Sequence, residues 1–237
     1  MSKRLKRLAM PNTWPLSRKG SKYVTIPNPG PHSMKRGLAL NSIITEVLNW
    51  ANTAKEAKTV LNSGYISIDG KVRKDPKFSA GLMDVMKNNK TGEIYRVLLN
   101  KKGKICLSPI SENEASIKPC KIIRKQMFSG NRIQITLHDG KNILTDKKDY
   151  NVGDTLIIKI PEVQIMKHLK IEKNSFVMIT EGKHTGDYGI IQVIVGEQSI
   201  EPTKIILKTN DKEYETLKEY AFVIGEGKNS EIAIKQE

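Results

Sequence analysis

The first carboxylate of the chain is Glu46, and the 45 residues before it contain nine lysines and arginines. A segment with only one sign of charge repels itself, so it resists compaction on its own. It needs an anionic surface to lie on, and nucleic-acid phosphate is the commonest such surface. A disordered basic tail that only keeps the protein soluble is the alternative. The cations of this arm are Lys3, Arg4, Lys6, Arg7, Arg18, Lys19, Lys22, Lys35 and Arg36.

The overall charge supports a polyanion partner. The net charge is +15 over 237 residues, and the isoelectric point is near 9.7, a balance typical of nucleic-acid binders. Anionic lipid attracts the same charges. However, the sequence has no run of about 18 apolar residues to cross a bilayer and no apolar segment of a secretory signal, so we expect no membrane partner. Cys106 and Cys120 lack nearby Cys or His partners, which favours free thiols in a reducing cytosol over a disulfide or zinc site.

Prolines and charge divide the chain into five segments. We predict a basic, proline-rich arm over 1–37, a helix-helix-hairpin module over 38–86, a central β domain over 87–172, a small barrel over 173–228 and an acidic tail over 229–237. The last two segments together carry eleven acidic and eight basic residues. We therefore expect them to face solvent or protein more than phosphate.

The second segment predicts two helices followed by a hairpin. Apolar residues from Leu40 to Ala51 recur at helical spacing, Thr53 to Glu56 forms a capping box, and Asp69-Gly70 is a two-residue hairpin turn. The string 53–72 resembles the alpha-L RNA-binding module, in which the start of the second helix and the hairpin face structured RNA. An ordinary helical hairpin with a solvated face is the alternative. By motif position, the resemblance points to RNA contacts at Lys55, Lys58, Lys71, Arg73 and Lys74.

The central segment contains many short strands at regular spacing, which predicts a small barrel or sandwich. Asp139-Gly140 is a second strong hairpin signal. Arg124, Lys125 and Arg132 contribute to a positive field that we predict contacts RNA. The same pattern also fits a scaffold without a binding role.

The next segment resembles the KOW motif. Strands over 175–180 and 190–195 flank a loop with glycines at positions 182, 186 and 189. The glycine spacing differs from that of a nucleotide-binding loop. Lys183 and His184 lie at the predicted loop tip, where Lys183 is a candidate RNA contact. Closure of a small barrel is the alternative role for this loop.

We find no catalytic constellation in the sequence. The four histidines lie in different segments without metal-ligand spacing, and no nucleophile elbow or dinucleotide fingerprint is present. We therefore predict no enzymatic activity, no cofactor, no metal and no small-molecule substrate. An RNA-modifying enzyme with an alpha-L module and a transcription elongation factor with a KOW module are the alternative functions.

The order of these segments resembles the small-subunit ribosomal protein S4e family of archaea and eukaryotes. The resemblance implies an α+β, mostly β fold: an extended arm, an alpha-L module, a β-barrel-like central domain and an SH3-like KOW barrel. It also implies a structural, cytoplasmic constituent of the ribosome that binds small-subunit rRNA beside neighbouring ribosomal proteins. The pieces that carry it are Lys3-Arg-Leu-Lys-Arg-Leu-Ala, Gly30-Pro-His, Ile68-Asp-Gly-Lys-Val-Arg-Lys-Asp75, Ala80-Gly-Leu-Met-Asp-Val85, Lys90-Thr-Gly-Glu93 and Phe222-Val-Ile-Gly225.

Overall fold

The computed structural model describes residues 4–128, 132–196, 202–209, 213–227 and 229–233. The chain divides into two compact units, of which the first combines Met1–Leu98 with Lys104–Ser116, and the second combines Leu99–Gly103 with Ile117–Glu237. Strands predominate in the described residues, so the prediction of a mostly β fold is confirmed. None of the helices in these ranges is long and apolar enough to cross a membrane.

The described residues of the first unit form nine short strands, of which β8 includes Leu99 from the start of the second unit. β1 pairs with β2 and β3 with β6, while the other five form an antiparallel sheet in the order β5-β4-β7-β8-β9. The strands are β1 Leu5–Lys6, β2 Tyr23–Val24, β3 Gly37–Ala39, β4 Ile66–Ile68, β5 Lys71–Val72, β6 Ser79–Gly81, β7 Val85–Asn88, β8 Ile94–Leu99 and β9 Ile105–Pro109.

The predicted hairpin in this unit forms as expected. Ile68 pairs with Lys71, so the connection between β4 and β5 is a two-residue turn. Asp69 and Gly70 adopt φ of 51° and 75°. Two positive φ angles match the right-handed twist of the paired strands, which is why an Asp-Gly pair favours this turn.

The helices of the first unit only partly match the sequence periodicity. α1 covers only Leu40–Ser42 and continues as a π-helix over Ile43–Val47. The expected regular helix to Ala51 is therefore wrong in its length and winding. Asn49 has φ of 53°, a conformation outside the right-handed helix. The other helices are α2 Ala54–Asn62 and α3 Glu112–Ala115, and a 3-10 helix spans Arg7–Ala9.

The arm contributes to the core of the first unit. Trp14 is only 1% exposed, and its indole nitrogen donates to the carbonyl oxygens of Met34 and Gly37, each at 3.0 Å. Leu38, Leu40 and other apolar residues of the following segment are fully buried. The tryptophan therefore ties the first half of the arm to its last residues, next to the buried segment that begins at Leu38.

The described residues of the second unit form two antiparallel sheets, in the orders β12-β11-β10-β13-β14 and β18-β17-β16-β15-β19-β20. Their strands are β10 Ile117–Phe128, β11 Arg132–Leu137, β12 Asn142–Thr145, β13 Thr155–Lys159, β14 Gln164–Leu169, β15 Ser175–Ile179, β16 Tyr188–Val195, β17 Lys204–Lys208, β18 Glu213–Leu217, β19 Ala221–Glu226 and β20 Asn229–Ser230. A 3-10 helix, Lys218–Tyr220, precedes β19.

The two sheets share one hydrophobic core. Ile157 and Leu169, from the first sheet, are buried in the same cluster as Val177, Ile191 and Ile205, from the second. The predicted boundary at residue 173 therefore falls within a continuous core. The five-segment division as a whole stays a prediction.

Candidate nucleic-acid interface

Arg7 differs from the other predicted arm cations in the described residues because it is buried, with 7% exposure. Its guanidinium donates to both carboxylate oxygens of Glu46, at 2.8 and 2.9 Å. The remaining donors reach the carbonyl oxygens of Ser17 and Ser21 and the hydroxyl of Ser21, at 2.9 to 3.1 Å. These five hydrogen bonds use all five N–H groups of the side chain. Arg7 therefore fixes the arm to Glu46, and its predicted contact with phosphate stays a prediction.

The other described cations of the arm are exposed. The arm thus combines an anchored backbone with outward charge. Arg4 and Lys22 each lie 5.6 Å from the ring centre of Tyr23, which is itself 39% exposed. Arg18 donates to the carbonyl of Leu8 at 2.9 Å. Lys3 lies outside the described residues. The exposed set is Arg4, Lys6, Arg18, Lys19, Lys22, Lys35 and Arg36.

The predicted capping box at the start of α2 is present. The hydroxyl of Thr53 accepts from the amide of Glu56 at 3.2 Å, and the carboxylate of Glu56 accepts from the amides of Asn52 and Thr53. The pKa of Glu56 is lowered, and the hydrogen bond from the amide of Asn52 is the largest cause. The side chains of Thr53 and Glu56 therefore cap the N-terminus of the helix. Lys55 and Lys58 are exposed on its surface.

The hairpin cations divide into two kinds. Lys71 and Lys74 are exposed, as a phosphate contact requires. Arg73 is half-buried, and its guanidinium lies 4.4 Å from the ring centre of Phe78. A cation over an aromatic face is stabilised by the ring. Arg73 is thus held against the protein, while its two neighbours project outward.

The three predicted cations of β10 and β11 do not share one face of their sheet. Strand register places Arg124 opposite Thr136, and Arg132 opposite Phe128. Side chains alternate along a strand, so both arginines share one face while Lys125 lies on the other. Lys125 is half-buried and donates to the carbonyl of Lys148 at 2.8 Å.

The loop between β15 and β16 holds its two basic residues differently. Lys183 is exposed. His184 stacks on Tyr214 with ring centres 4.1 Å apart, and its Nδ1 lies 3.5 Å from Asp187. Gly186 has φ of 87°, and a Cβ there would overlap the carbonyl oxygen of Asn100. The loop is therefore a packed turn that presents Lys183 to solvent.

Comparisons with known proteins show the family to which the chain belongs. A model of ribosomal family S4e matches residues 91–165, and a model of the RS4NT domain matches residues 1–35. The chain is 41% identical over 224 residues to small ribosomal subunit protein eS4 of Methanothermobacter thermautotrophicus, covering 94% of this chain and 92% of that protein. It is 42% identical over 231 residues to eS4 of Methanocaldococcus jannaschii, covering 94% and 93%. The chain belongs to the S4e family.

A solved structure extends the similarity to the fold. The crystal structure of 30S ribosomal protein S4e from Thermoplasma acidophilum matches with a TM-score of 0.71 and 33% identity, covering 82% of this chain and 98% of that one. The predicted family membership is confirmed. These S4e relatives are named as ribosomal proteins of the small subunit, not as enzymes.

The S4e chain also contains a buried charged cluster that the sequence analysis missed. Lys118 and Asp139 have side-chain exposures of 0% and 1%, and the ammonium lies 3.1 Å from the carboxylate. Lys141 approaches the same oxygen at 2.9 Å. Burial alone would raise the pKa of Asp139. The charges of Lys118, Lys141 and His138, with a hydrogen bond from Lys141, outweigh burial and lower that pKa to about 2.

This cluster includes three residue types that bind metals. Potential ligand atoms of Cys120, His138 and Asp139 lie within 4.8 Å of one another. Two ammonium groups already share the carboxylate, and their charge opposes a divalent cation at the same place. We therefore interpret the cluster as structural. The local sequence did not single out this pair, because Lys118 is one of four basic residues in β10 and Asp139 lies 21 positions away.

Proposed function

We propose that this S4e-family chain is a structural constituent of the small ribosomal subunit and that it binds rRNA in the cytoplasm. The main support is the arm: its backbone is fastened at Trp14 and Arg7, while seven other described cations are exposed and no arm residue carries a negative charge. The names of its relatives support the same role.

The proposed mechanism is neutralisation of phosphates by cations on folded surfaces. Each lysine or arginine that contacts a phosphate releases condensed counterions, which provides much of the binding free energy. An anchored arm loses less conformational entropy on binding than a free tail would. This explains why Arg7 is used for internal hydrogen bonds although it could carry one more external charge.

We further propose that α2 and the β4–β5 hairpin act as an alpha-L module. Lys55, Lys58, Lys71 and Lys74 are its exposed cations. Specificity would come from the shape of the RNA, because the deep A-form major groove does not admit side chains. Arg73 supports the hairpin from inside through Phe78.

We propose that β15, β16 and their connecting loop form the KOW element of an SH3-like barrel. The loop is packed around Gly186 and presents a single exposed lysine, Lys183. Its contribution to RNA binding is therefore smaller than that of the arm. Neighbouring ribosomal proteins are the proposed partners of the more acidic C-terminal region.

Sedimentation of a cell lysate through a sucrose gradient tests this function. The chain is expected to sediment with the small subunit at low salt and to leave it as the salt concentration rises, because phosphate contacts are salt-dependent. Sedimentation as a free protein at every salt concentration would refute the proposal.

A further inference from the structure

The sheet of β10, β11 and β12 has one face that is open to solvent. Register places Phe128 opposite Arg132, Gln126 opposite Gln134, and Gln134 opposite Leu144. We call this surface the hairpin face. It consists of Arg124, Gln126, Phe128, Arg132, Gln134 and Leu144.

The exposure of the two sides of this sheet differs. Phe128 and Leu144 are each 48% exposed on the hairpin face, where Arg124 and Arg132 are also exposed. On the other side, Ile133 and Ile135 of β11 are 2% and 0% exposed. The β11 part of that other side therefore packs on the protein, whereas the hairpin face is uncovered within the described residues.

The charges of the three strands favour an anionic occupant. The hairpin face carries two exposed arginines, Arg124 and Arg132, and none of its six residues is aspartate or glutamate. A protein partner covering the face would have to bury Arg124 and Arg132, and burial of unpaired charges is unfavourable. A partner rich in phosphate would pair with the charges of both arginines.

The uncharged side chains of the hairpin face favour unpaired RNA over duplex RNA. A half-exposed phenylalanine ring is a platform on which a base can stack, and side-chain amides can hydrogen-bond to base edges. The bases of an RNA duplex are already stacked and paired, so they do not reach Phe128. Unpaired nucleotides offer both a free base and a flanking phosphate.

The hairpin face is also partly organised in advance. In the hydrogen-bonded orientation of the Gln126 amide, its oxygen accepts from Nε and Nη2 of Arg124 at 3.2 and 2.6 Å. This contact restrains the Arg124 guanidinium and leaves the amide nitrogen of Gln126 outside the pair. A side chain held in this way loses less entropy when a ligand binds.

We propose that the hairpin face binds unpaired RNA nucleotides, with a base stacked on Phe128 and flanking phosphates held by Arg124 and Arg132. The amides of Gln126 and Gln134 contact base edges beside the ring. This inference rests on the proposed function, since it names the form of RNA that one surface of the ribosomal chain takes.

Equilibrium binding of the full chain to a single-stranded RNA oligonucleotide and to a blunt RNA duplex of equal length tests the inference. Phe128→Leu keeps an apolar side chain but removes the stacking ring, so the affinity for the single strand should fall about tenfold, the lower part of the range for base stacking. The affinity for the duplex should not change. Phe128→Trp should restore single-strand binding, because it restores the aromatic surface.

Met127→Leu is the matched control. Met127 is 68% exposed and lies on the opposite side of the same strand, so its substitution should leave both affinities unchanged. Arg124→Gln and Arg132→Gln should each make the salt dependence of single-strand binding less steep, by about 0.7 in the log–log slope.

The inference is overturned if Phe128→Leu binds the single strand as tightly as the natural chain, or if Met127→Leu weakens it equally. Equal weakening of duplex binding by Phe128→Leu would also overturn it. A chain that binds small-subunit rRNA in a salt-dependent way but ignores the substitution at Phe128 refutes only this inference. A chain that fails to bind small-subunit rRNA at all refutes the proposed function as well.

Discussion

Replacement of Asp139 by Asn should strongly destabilise the second unit. The substitution keeps the size of the side chain and the Oδ1 atom that accepts from the amide of Lys141 at 3.2 Å, so the turn is preserved. It removes the negative charge that lies 3.1 Å from the ammonium of Lys118, whose side chain has no exposed surface. Lys118 would then be left buried without this counter-charge.

The expected loss of unfolding free energy is about 3–5 kcal/mol, the range for breaking one partner of a buried ion pair. The Coulomb energy of two unit charges at this separation is also roughly 5 kcal/mol at an effective dielectric constant of about 20. Urea unfolding of the full chain, followed by circular dichroism, measures the change. A shift of the midpoint without a change in slope would identify a loss of stability alone.

A double substitution separates the charge effect from the loss of packing. Lys118→Met with Asp139→Asn removes both charges, so most of the stability should return, as found when buried ion pairs are replaced by apolar groups of similar volume. Glu162→Gln, which alters the exposed pair with Lys159 at 3.7 Å, should have little effect. A loss below about 1 kcal/mol for Asp139→Asn would refute the assignment of the buried pair as a structural element.

Three further predictions follow from the same contacts. The pKa of Asp139 is lowered from 3.8 to about 2 in the folded chain. About 2 kcal/mol of unfolding free energy should therefore be present above pH 4 and be lost as the pH falls through 2. Asp139→Asn should remove this pH dependence in acid unfolding. Arg7→Ala should speed trypsin cleavage within the arm and lower the unfolding free energy by about 2–3 kcal/mol, whereas unchanged cleavage, or an equal effect of Arg18→Ala, would contradict the anchoring role. Gly186→Ala should lower the unfolding free energy by about 2–4 kcal/mol, because its φ is positive and the new Cβ would overlap a backbone oxygen. Gly92→Ala, with a similar φ but open space around the Cβ, should lower the unfolding free energy less in the same urea titration. Equal losses of unfolding free energy for the two variants would exclude the clash as the cause.

Local chemistry made several elements predictable from sequence. The Asp69-Gly70 turn and the Thr53 capping box depend on residues within four positions of one another, and both are present. The cations of the arm also stand out because no acidic residue interrupts them. In each case the interacting groups are neighbours in the chain, so their pattern can be read directly.

Long-range pairing limited the prediction of the site. Glu46 is 39 positions from Arg7, and Asp139 is 21 positions from Lys118. Nothing in the local sequence of a basic arm shows which of its arginines finds a distant carboxylate. Charge alone therefore assigned Arg7 to the RNA-binding set, although its donors are used inside the protein.

The hairpin face shows a similar limit. The sequence shows three equally charged candidates, Arg124, Lys125 and Arg132. Strand register places Lys125 on the opposite face from the two arginines. The exposure of Phe128 depends on which side of the sheet packs on the protein, which requires the tertiary fold. The sequence thus indicated a basic β region, and the structure assigned its residues to two different surfaces.

The salt dependence of binding between the purified chain and small-subunit rRNA tests the electrostatic role most directly. A variant with four exposed arm lysines changed to alanine should show a log–log slope less steep by about 3, since each lost phosphate contact removes about 0.7–0.9. An equal loss of charge in the C-terminal region should leave the slope almost unchanged. The arm variant replaces Lys6, Lys19, Lys22 and Lys35, and the control replaces Lys173, Lys204, Lys208 and Lys218. Equal slopes for the natural chain and the arm variant, or an affinity that does not depend on salt, would contradict the proposed grip on rRNA.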